Sequence, residues 1–472
     1  MNRQKNIGRG RRRWARTTAV AGAAAAAGLL LAACGASAGS SGAGGTATPS
    51  PGQKFNGQTL TVFDGAPSGA QSKQTSQYYN YLSGLFHKQT GATLNWEYYT
   101  SGAEETTKIE SSVVSGSGPD VFSYGSSFIG VIGATHDFVT LSPADWKYLG
   151  GRGSFVARQL EDSGYTTGTD IGIPYESIPF VIAYNKSLFA KAGISSPPTT
   201  WTEYVTDAKK VQAANPGVYG AGFDPADKFD PWKFVWSYTK QLGGEFVTQN
   251  GKKALMDSPQ VKQALAFYFA QYYQYHIVPP QALSWDSSQM FTEFSEGKIA
   301  MIPLADYGTQ VSAAGTAVAG KIGFAPLPDV PYGMPARPAG GVPAETIVSG
   351  NYWAVPSYSA AKMPLALAFA KLSVSPAVQV KQFQLLGWIP VTTAGMSAVE
   401  SAAGPSVKPF MSAEEDSTST TITPAWSYVE DGMEAVIGNV SSQLATGGKY
   451  NASYASSQLA TEQSDVTSHL SS

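Results

Sequence analysis

The sequence contains few of the side chains that build metal centres and disulfides. In 472 residues there are four histidines and a single cysteine, Cys34. One cysteine excludes an intramolecular disulfide and any cysteine-based metal cluster. The chain also lacks an H-E-x-x-H zinc motif and a P-loop. We therefore expect a protein that binds no metal and needs no cofactor.

Charged residues are scarce too, at 14% of the chain, whereas about 25% is usual in soluble domains. Seven of the 32 Lys and Arg residues lie within the first 33 positions, so the remainder carries 25 basic against 34 acidic side chains. A nucleic-acid surface needs clustered Lys and Arg to neutralise phosphates. This balance predicts that nucleic acid is not a partner.

Residues 1–34 have the pattern of a bacterial export signal. Basic residues precede an apolar run over 19–33, which is too short and too rich in alanine for a permanent transmembrane helix. The run ends in Leu31-Ala-Ala-Cys34-Gly35 and resembles the lipobox of bacterial lipoproteins. This resemblance implies that Cys34 is lipidated and anchors the protein to the extracellular face of the cell membrane. The following residues, 35–54, are mostly Gly, Ala, Ser, Thr and Pro and predict a flexible linker.

Strands and helices are predicted to alternate after the linker. The pattern predicts strands at 59–63, 93–98 and from Gly118, with helices at 78–86 and 104–115 between them. This order is typical of an α/β fold with a mainly parallel sheet. Ligands bind beyond the carboxyl ends of the strands in such sheets, where Asp64 and residues 124–127 lie. The length of the chain predicts two or three domains.

The stretch 171–211 carries the clearest local signals. Residues 180–184 form an apolar run typical of a buried strand, and Asn185 is a suitable helix N-cap. Thr200 and Glu203 have the spacing of a capping box. The helix behind them has one apolar stripe, formed by Trp201, Tyr204, Val205 and Ala208.

The second half of the chain is less regular. A strand at 298–303 leads to Asp306 and Tyr307, and a strand at 345–356 carries Trp353. A helical region is predicted at 364–386 and a further helix at 426–444. We expect little regular structure in the acidic loop 412–417, and a frayed Ser-rich tail beyond Gly447.

Five short landmarks occur in a fixed order along this pattern. They are Gly118-Pro-Asp-Val121; Pro174-Tyr-Glu176 before Tyr184-Asn-Lys186; Pro198-Thr-Thr-Trp201; Phe294 with Gly297-Lys-Ile-Ala-Met301; and Gly387-Trp-Ile-Pro390. In order and spacing, over most of residues 55–395, they resemble the extracellular solute-binding proteins of ABC importers. The resemblance is to the carbohydrate-binding family that includes maltose-binding protein.

The resemblance implies a two-lobed periplasmic-binding-protein-like α/β fold whose lobes close on a sugar by hinge motion. By the family pattern, lobe one takes residues 55–180 and 345–395, and lobe two takes 181–335 and 396–472. The implied function is that of a binding protein and not an enzyme. It is expected to be a monomer that delivers a carbohydrate to the transmembrane subunits of an ABC permease.

A sugar presents an apolar C–H face and a rim of hydroxyls, so its site needs aromatic platforms with a few placed polar groups. The resemblance assigns seven residues to ligand binding: Tyr124, Ser127, Tyr175, Glu176, Trp232, Trp236 and Tyr307. The predicted strand ends and the aromatic content of the chain add five more: Asp64, Trp285, Asp306, Trp353 and Trp388.

Two other functions compete with this prediction. A secreted glycoside hydrolase would use aromatics with two carboxylates, and Asp64, Asp120, Glu176 and Asp306 supply acids. The chain, however, shows no eightfold βα repeat. The other possibility is a binding protein for a solute that is not a sugar, such as a peptide or a polyamine.

Overall fold

The structure is a computed structural model that describes residues 48–67, 71–165, 168–343 and 346–470. The predicted signal segment 1–34, with Cys34, and most of the predicted linker 35–54 lie outside these ranges. The two sheets described below belong to one compact unit that covers residues 46–472.

Within the described ranges, eight strands form two sheets. They are β1 (Thr59–Gly65), β2 (Thr93–Tyr99), β3 (Val121–Gly125), β4 (Gly172–Ser177), β5 (Val181–Asn185), β6 (Met301–Ala305), β7 (Ile322–Ala325) and β8 (Gly350–Ala354). The first sheet has the order β2-β1-β3-β8-β4, and the second has the order β6-β5-β7.

The two sheets differ in strand direction. In the first sheet β1 pairs parallel with β2 and β3, and β8 lies antiparallel between β3 and β4. In the second sheet β5 pairs antiparallel with both neighbours. Two of the four pairings in the first sheet are therefore parallel and two are antiparallel, so the prediction of a mainly parallel sheet is correct for β1, β2 and β3 but wrong for the second sheet. The alternation of strands and helices predicts the direction of strand pairing only near the N-terminus. The connections between β5, β6 and β7 are long, so these strands can pair in either direction.

Helices cover both sheets. They are α1 (Ser72–Thr90), α2 (Gly102–Ser115), α3 (Ile129–Ala134), α4 (Pro143–Leu149), α5 (Lys186–Lys191), α6 (Trp201–Ala214), α7 (Pro231–Gln241), α8 (Pro259–Tyr273), α9 (Ser287–Ser295), α10 (Gly308–Ser312), α11 (Met363–Ser373), α12 (Pro376–Leu386), α13 (Thr393–Ala403), α14 (Lys408–Glu415), α15 (Trp426–Gly447) and α16 (Ala452–Leu470). In the described part of the chain, no single helix has both the length and the apolar character to cross a membrane. Only the pair 357–373 and 376–386 meets that test when taken together, and it is bent by 62°.

The first sheet buries side chains on both faces, because successive residues of a strand point to opposite sides. Val62 of β1 and Trp353 of β8 pack into one core with α1 and α11. Their neighbours Phe63 and Tyr352 pack into a second core with α3 on the other face. This double burial holds the ends of the strands in fixed positions.

The second sheet shares a large core with α6, α7, α8, α15 and α16. The tail predicted to fray is helix α16 instead. Its residues Ala455, Leu459 and Val466 recur on one face of the helix and are fully buried against this core. The apolar stripe stabilises the tail although its sequence is rich in serine.

The local predictions for residues 180–208 are confirmed. The Asn185 side chain accepts hydrogen bonds from the backbone N–H groups of Ser187 and Leu188 and caps α5. Thr200 and Glu203 form the predicted capping box at the start of α6. The predicted stripe of α6, from Trp201 to Ala208, is buried.

The chain passes from the first sheet to the second between β4 and β5. The segment around Pro174, which the sequence pattern leaves without a predicted strand, is β4, and all six of its residues are buried. It was missed because Gly172 and Pro174 are both unfavourable in strands. The chain returns to the first sheet between β7 and β8.

The region after residue 390 is more helical than predicted. Most of the acidic loop 412–417 belongs to the end of α14. Val399 of α13 and Phe410 of α14 are buried in a small core with Tyr307. This tertiary packing outweighs the weak local preference of the segment for helix.

Candidate functional site

A cleft of about 610 Å³ lies between the ends of the two sheets. The first sheet contributes the carboxyl ends of β1, β2 and β3 and the amino end of β8, which share one edge of the sheet. The residues from this edge are Gly65, Ala66, Tyr99, Thr100, Gly125, Gly350 and Asn351. The second sheet contributes Asp306, which directly follows β6. The cleft therefore has the position that α/β sheets typically use for ligands.

The two connections between the sheets also line the cleft. Ile178 and Phe180 come from the connection between β4 and β5, and Ile347 and Ser349 come from the one between β7 and β8. A change in the angle between the sheets would move these residues, so the geometry couples the shape of the cleft to the chain crossings.

Aromatic side chains form part of the wall, and they differ in how freely they can contact a ligand. Phe229, in the loop before α7, is 42% exposed, whereas Trp232 on the first turn of α7 is only 2% exposed. The Trp232 ring packs edge-on against Trp426 at a centroid distance of 6.1 Å. Phe229 is thus a free apolar platform on the cleft wall, and Trp232 offers only an edge.

One of the two lysines in the wall is already paired. The Lys233 Nζ atom lies 2.8 Å from Asp230 Oδ1 and 5.0 Å from the centre of the Phe180 ring. The nearby carboxylates raise the pKa of Lys233 although burial lowers it. Lys233 therefore remains a cation, and Asp230 neutralises much of its charge.

Carboxyl groups dominate the rest of the polar wall. They come from α2, α7, α15 and the turn after β6, and they are Glu105, Asp230, Asp306, Glu430, Asp431 and Glu434. Burial raises the pKa of Asp306 to about 6 and that of Glu430 to about 7. Burial together with the charges of Glu430 and Asp431 raises the pKa of Glu434 to about 8. Several of these groups are partly protonated near neutral pH and can both donate and accept hydrogen bonds.

Three of the twelve predicted ligand residues line the cleft: Ser127, Trp232 and Asp306. Ser127 lies in the short turn after β3, where its side chain is near Glu430 and lowers the pKa of that carboxyl group. These three residues come from different segments of the chain and meet on one wall.

Two further predicted residues support the wall from behind. Asp64 accepts hydrogen bonds from the Tyr79 and Tyr175 hydroxyls, both at 3.0 Å, beside the lining residue Gly65. Burial raises its pKa to about 6. Glu176 is fully buried and accepts a hydrogen bond from Asn351 Nδ2, so it orients a side chain that lines the cleft.

Six of the remaining seven predicted residues are buried in cores, and the seventh, Trp388, is half-buried against one. Tyr175 stacks on Trp353, Tyr124 stacks on Tyr352, and the Tyr307 ring packs against Phe383 and Phe410. Trp236 and Trp285 belong to the core of the second sheet, and Trp388 packs edge-on against Tyr78. A predicted strand end does not say which face a side chain takes, and here the rings face inward.

Sequence patterns missed the exposed aromatic residue of the cleft, Phe229, and most of the acidic residues that line it. Phe229 lies in an acidic loop typical of a solvated surface. Glu430 and Glu434 lie one turn apart on α15, which also carries Asp431, and like charges at i and i+4 are unfavourable in a helix. This unfavourable spacing is the feature of the sequence that could have identified this face of α15 as functional.

Comparisons with known sequences give consistent results. A family model described as bacterial extracellular solute-binding protein matches residues 69–380. A diacetylchitobiose binding protein of Streptomyces coelicolor is 25% identical over 360 residues, which cover 74% of this chain and 78% of the relative. A Brucella abortus protein, named as a binding protein, is 26% identical over 279 residues, which cover 57% of this chain. The match spans 61% of the length of that Brucella relative.

Solved structures share the fold. The maltose-bound MalE3 of T. maritima has a TM-score of 0.73 at 19% identity, covering 86% of this chain and 99% of the other. The GacH receptor of Streptomyces glaucescens, solved unliganded and in complex with acarbose, has a TM-score of 0.70 at 18% identity, covering 88% of this chain and 99% of the other. Likeness at this level of identity establishes the architecture, and the predicted two-lobed α/β fold is confirmed.

Proposed function

The chain belongs to the bacterial extracellular solute-binding protein family, and on this premise we propose that it binds a sugar or oligosaccharide in the cleft and delivers it to an ABC permease. The family supports a role in binding and transport without catalysis. The relatives and structural neighbours named for diacetylchitobiose, maltose and acarbose support a saccharide as the solute.

The observation that carries the proposal is the composition of the cleft. An exposed aromatic ring, Phe229, shares a 610 Å³ space with the amide of Asn351 and the hydroxyl of Ser127. An aromatic face suits the C–H face of a pyranose, and amide, hydroxyl and carboxyl groups suit its hydroxyls. A space of this size accommodates one or a few sugar rings.

We assign the predicted ligand residues accordingly. Ser127, Trp232 and Asp306 contact the solute together with Phe229 and Asn351. Asp64 and Glu176 position the wall, and the seven other predicted residues serve as scaffold.

The predicted lobe boundaries fit the same proposal. Residues 55–180 and 345–395 include all strands of the first sheet, and residues 181–335 include all strands of the second sheet. The solute binds between the lobes, and closure would bend the two connections that line the cleft.

Cys34 is proposed to carry the lipid that holds a monomeric protein at the extracellular face of the membrane. A Cys34→Ser variant, expressed in a bacterial host, should leave the membrane fraction and appear in soluble form. Unchanged retention in the membrane fraction would contradict lipidation at this residue.

A thermal-shift screen of the protein against a saccharide panel tests the sugar assignment. A ligand at a hundredfold excess over Kd stabilises the folded state by about 2.7 kcal/mol, which raises the melting temperature by at least about 1–2 °C in a chain of this size. The assignment fails if no saccharide shifts the transition while a peptide does. Release of reducing ends from oligosaccharides would favour the hydrolase instead.

A further inference from the structure

The charges in the cleft are strongly unbalanced. Among the described residues, six carboxyl side chains line it against two lysines, Lys228 and Lys233. Lys233 is paired with Asp230 at 2.8 Å, and Lys228 lies in an exposed loop. The neutral hydroxyls of a sugar do not require such an excess of acid, so the imbalance calls for a specific explanation.

Glu105 is the most informative of these acids. It lies on the first turn of α2, lines the cleft and is only 4% exposed. The backbone of Gly125 lies near its carboxyl group and partly offsets the effect of burial on its pKa. One carboxyl oxygen, Oε1, is shielded from water and has no hydrogen-bond partner among the described residues. A buried carboxylate oxygen without a partner is costly, and this one borders the space in which a solute would bind.

A second acidic surface faces Glu105. Helix α15 packs against α2 and carries Glu430, with Glu434 one turn further along the cleft wall. Burial, and next the charge of Glu430, raise the pKa of Glu105 well above its usual range. The charge of Glu430 likewise raises the pKa of Glu434. Two packed helices thus hold carboxyl groups close together, and a cation between them would favour the charged form of each group.

We propose that the solute carries a protonated amino group, which binds between Glu105 on α2 and Glu430 and Glu434 on α15. This inference rests on the proposed function and narrows the solute class to amino-substituted saccharides. The ammonium donates a hydrogen bond to the free Glu105 Oε1 atom, and the sugar ring lies on the Phe229 side of the cleft.

Matched sugars that differ only at carbon 2 test the proposal. Glucosamine, N-acetylglucosamine and glucose form one set, and the β-1,4-linked disaccharides of the same three sugars form a second set. Calorimetric titration of the full chain should show, in at least one set, that the amino sugar binds at least tenfold more tightly than its acetamido and hydroxyl counterparts. Equal or tighter binding of the neutral members would overturn the proposal.

Additional ligands separate this inference from the proposed function. If spermidine binds and no saccharide does, the ammonium site stands and the sugar assignment fails. If none of these ligands binds, the ammonium site fails, and the saccharide panel described above decides the sugar assignment separately. Binding of Ca²⁺ or Mg²⁺ alone, in the absence of any organic ligand, would replace the ammonium site with a metal site.

Two variants locate the site. Glu105→Gln keeps the shape of the side chain and removes its charge, and it should lower the preference for the amino sugar at least tenfold. Glu110→Gln, an exposed position on the same helix, is the matched control and should keep the full preference. Glu434→Gln provides a second variant if Glu105→Gln does not fold, as judged by its thermal unfolding. Retention of the preference in both site variants would contradict the assignment.

Discussion

Tyr175 and Trp353 stack face to face, with ring centroids 3.7 Å apart and ring planes 9° from parallel. They lie on the neighbouring strands β4 and β8. The Tyr175 hydroxyl donates to Asp64, and Trp353 Nε1 donates to Ser373 Oγ. Both rings are therefore committed to the core of the first sheet, directly behind the cleft.

Replacing Trp353 with alanine should destabilise the protein by about 3–5 kcal/mol, because it removes a fully buried indole and leaves a cavity. Urea denaturation measures this loss. Trp388→Ala is the control, since Trp388 is only half-buried and should cost less. If Trp353→Ala were as stable as wild type and lost sugar binding, Trp353 would be a ligand residue and not scaffold.

Phe229→Ala should weaken saccharide binding about tenfold, which corresponds to about 1.4 kcal/mol, without lowering stability. Its ring is 42% exposed, so few core contacts are lost. Tyr428→Ala is the control, because the Tyr428 side chain is similarly exposed at 39% but its ring stacks on His469. This variant should bind the saccharide as tightly as wild type. Equal binding by Phe229→Ala and wild type would remove Phe229 from the site.

The unliganded protein should lose stability as pH rises from about 4.5 towards 8. Asp306, Glu430 and Glu434 have pKa values of about 6, 7 and 8 in the folded state. A carboxyl group whose pKa is raised in the folded protein binds its proton more tightly there than in the unfolded chain. Its contribution to the free energy of unfolding is therefore complete below the pKa of the unfolded state, and it is lost as the pH rises past the pKa of the folded state. The free energy of unfolding, measured by urea denaturation at pH 5 and pH 8, should be lower at pH 8.

Glu434→Gln should reduce this dependence on pH, because the amide does not titrate. Glu110→Gln should leave it unchanged. Stability that rises between pH 5 and pH 8 would show that other groups dominate and that the cleft acids are not held in the protonated form.

Thr200→Ala should cost about 1 kcal/mol, because it removes the hydroxyl that caps α6. Thr206→Ala, at an exposed position inside the same helix, should be close to neutral. Thermal or urea unfolding compares the two variants. An equal effect at both positions would mean that the capping box contributes little to stability.

Local signals predicted much of the fold. The caps at Asn185 and Thr200 were recognisable because one side chain satisfies nearby backbone groups. The direction of β5 and the burial of β4 were not, since both depend on contacts with distant segments. Helix α16 shows the same limit, because its serine-rich sequence is stabilised by packing against α15 and α8.

The candidate site was less predictable than the fold. Ser127 was found through the family resemblance, and Asp306 was found because it follows a predicted strand. Glu105 and Glu430 meet only through the packing of α2 against α15, which no short motif encodes. Strand ends gave the position of the cleft, but not the direction in which rings such as Trp353 point.

The central claim is that the cleft binds a saccharide, and calorimetric titration of the purified protein with the saccharide selected by thermal shift tests it most directly. We predict saturable binding with one sugar per chain, weakened in the Phe229→Ala variant and unchanged in Tyr428→Ala. No saturable heat with any saccharide, or binding of a saccharide that both variants retain in full, would contradict the claim.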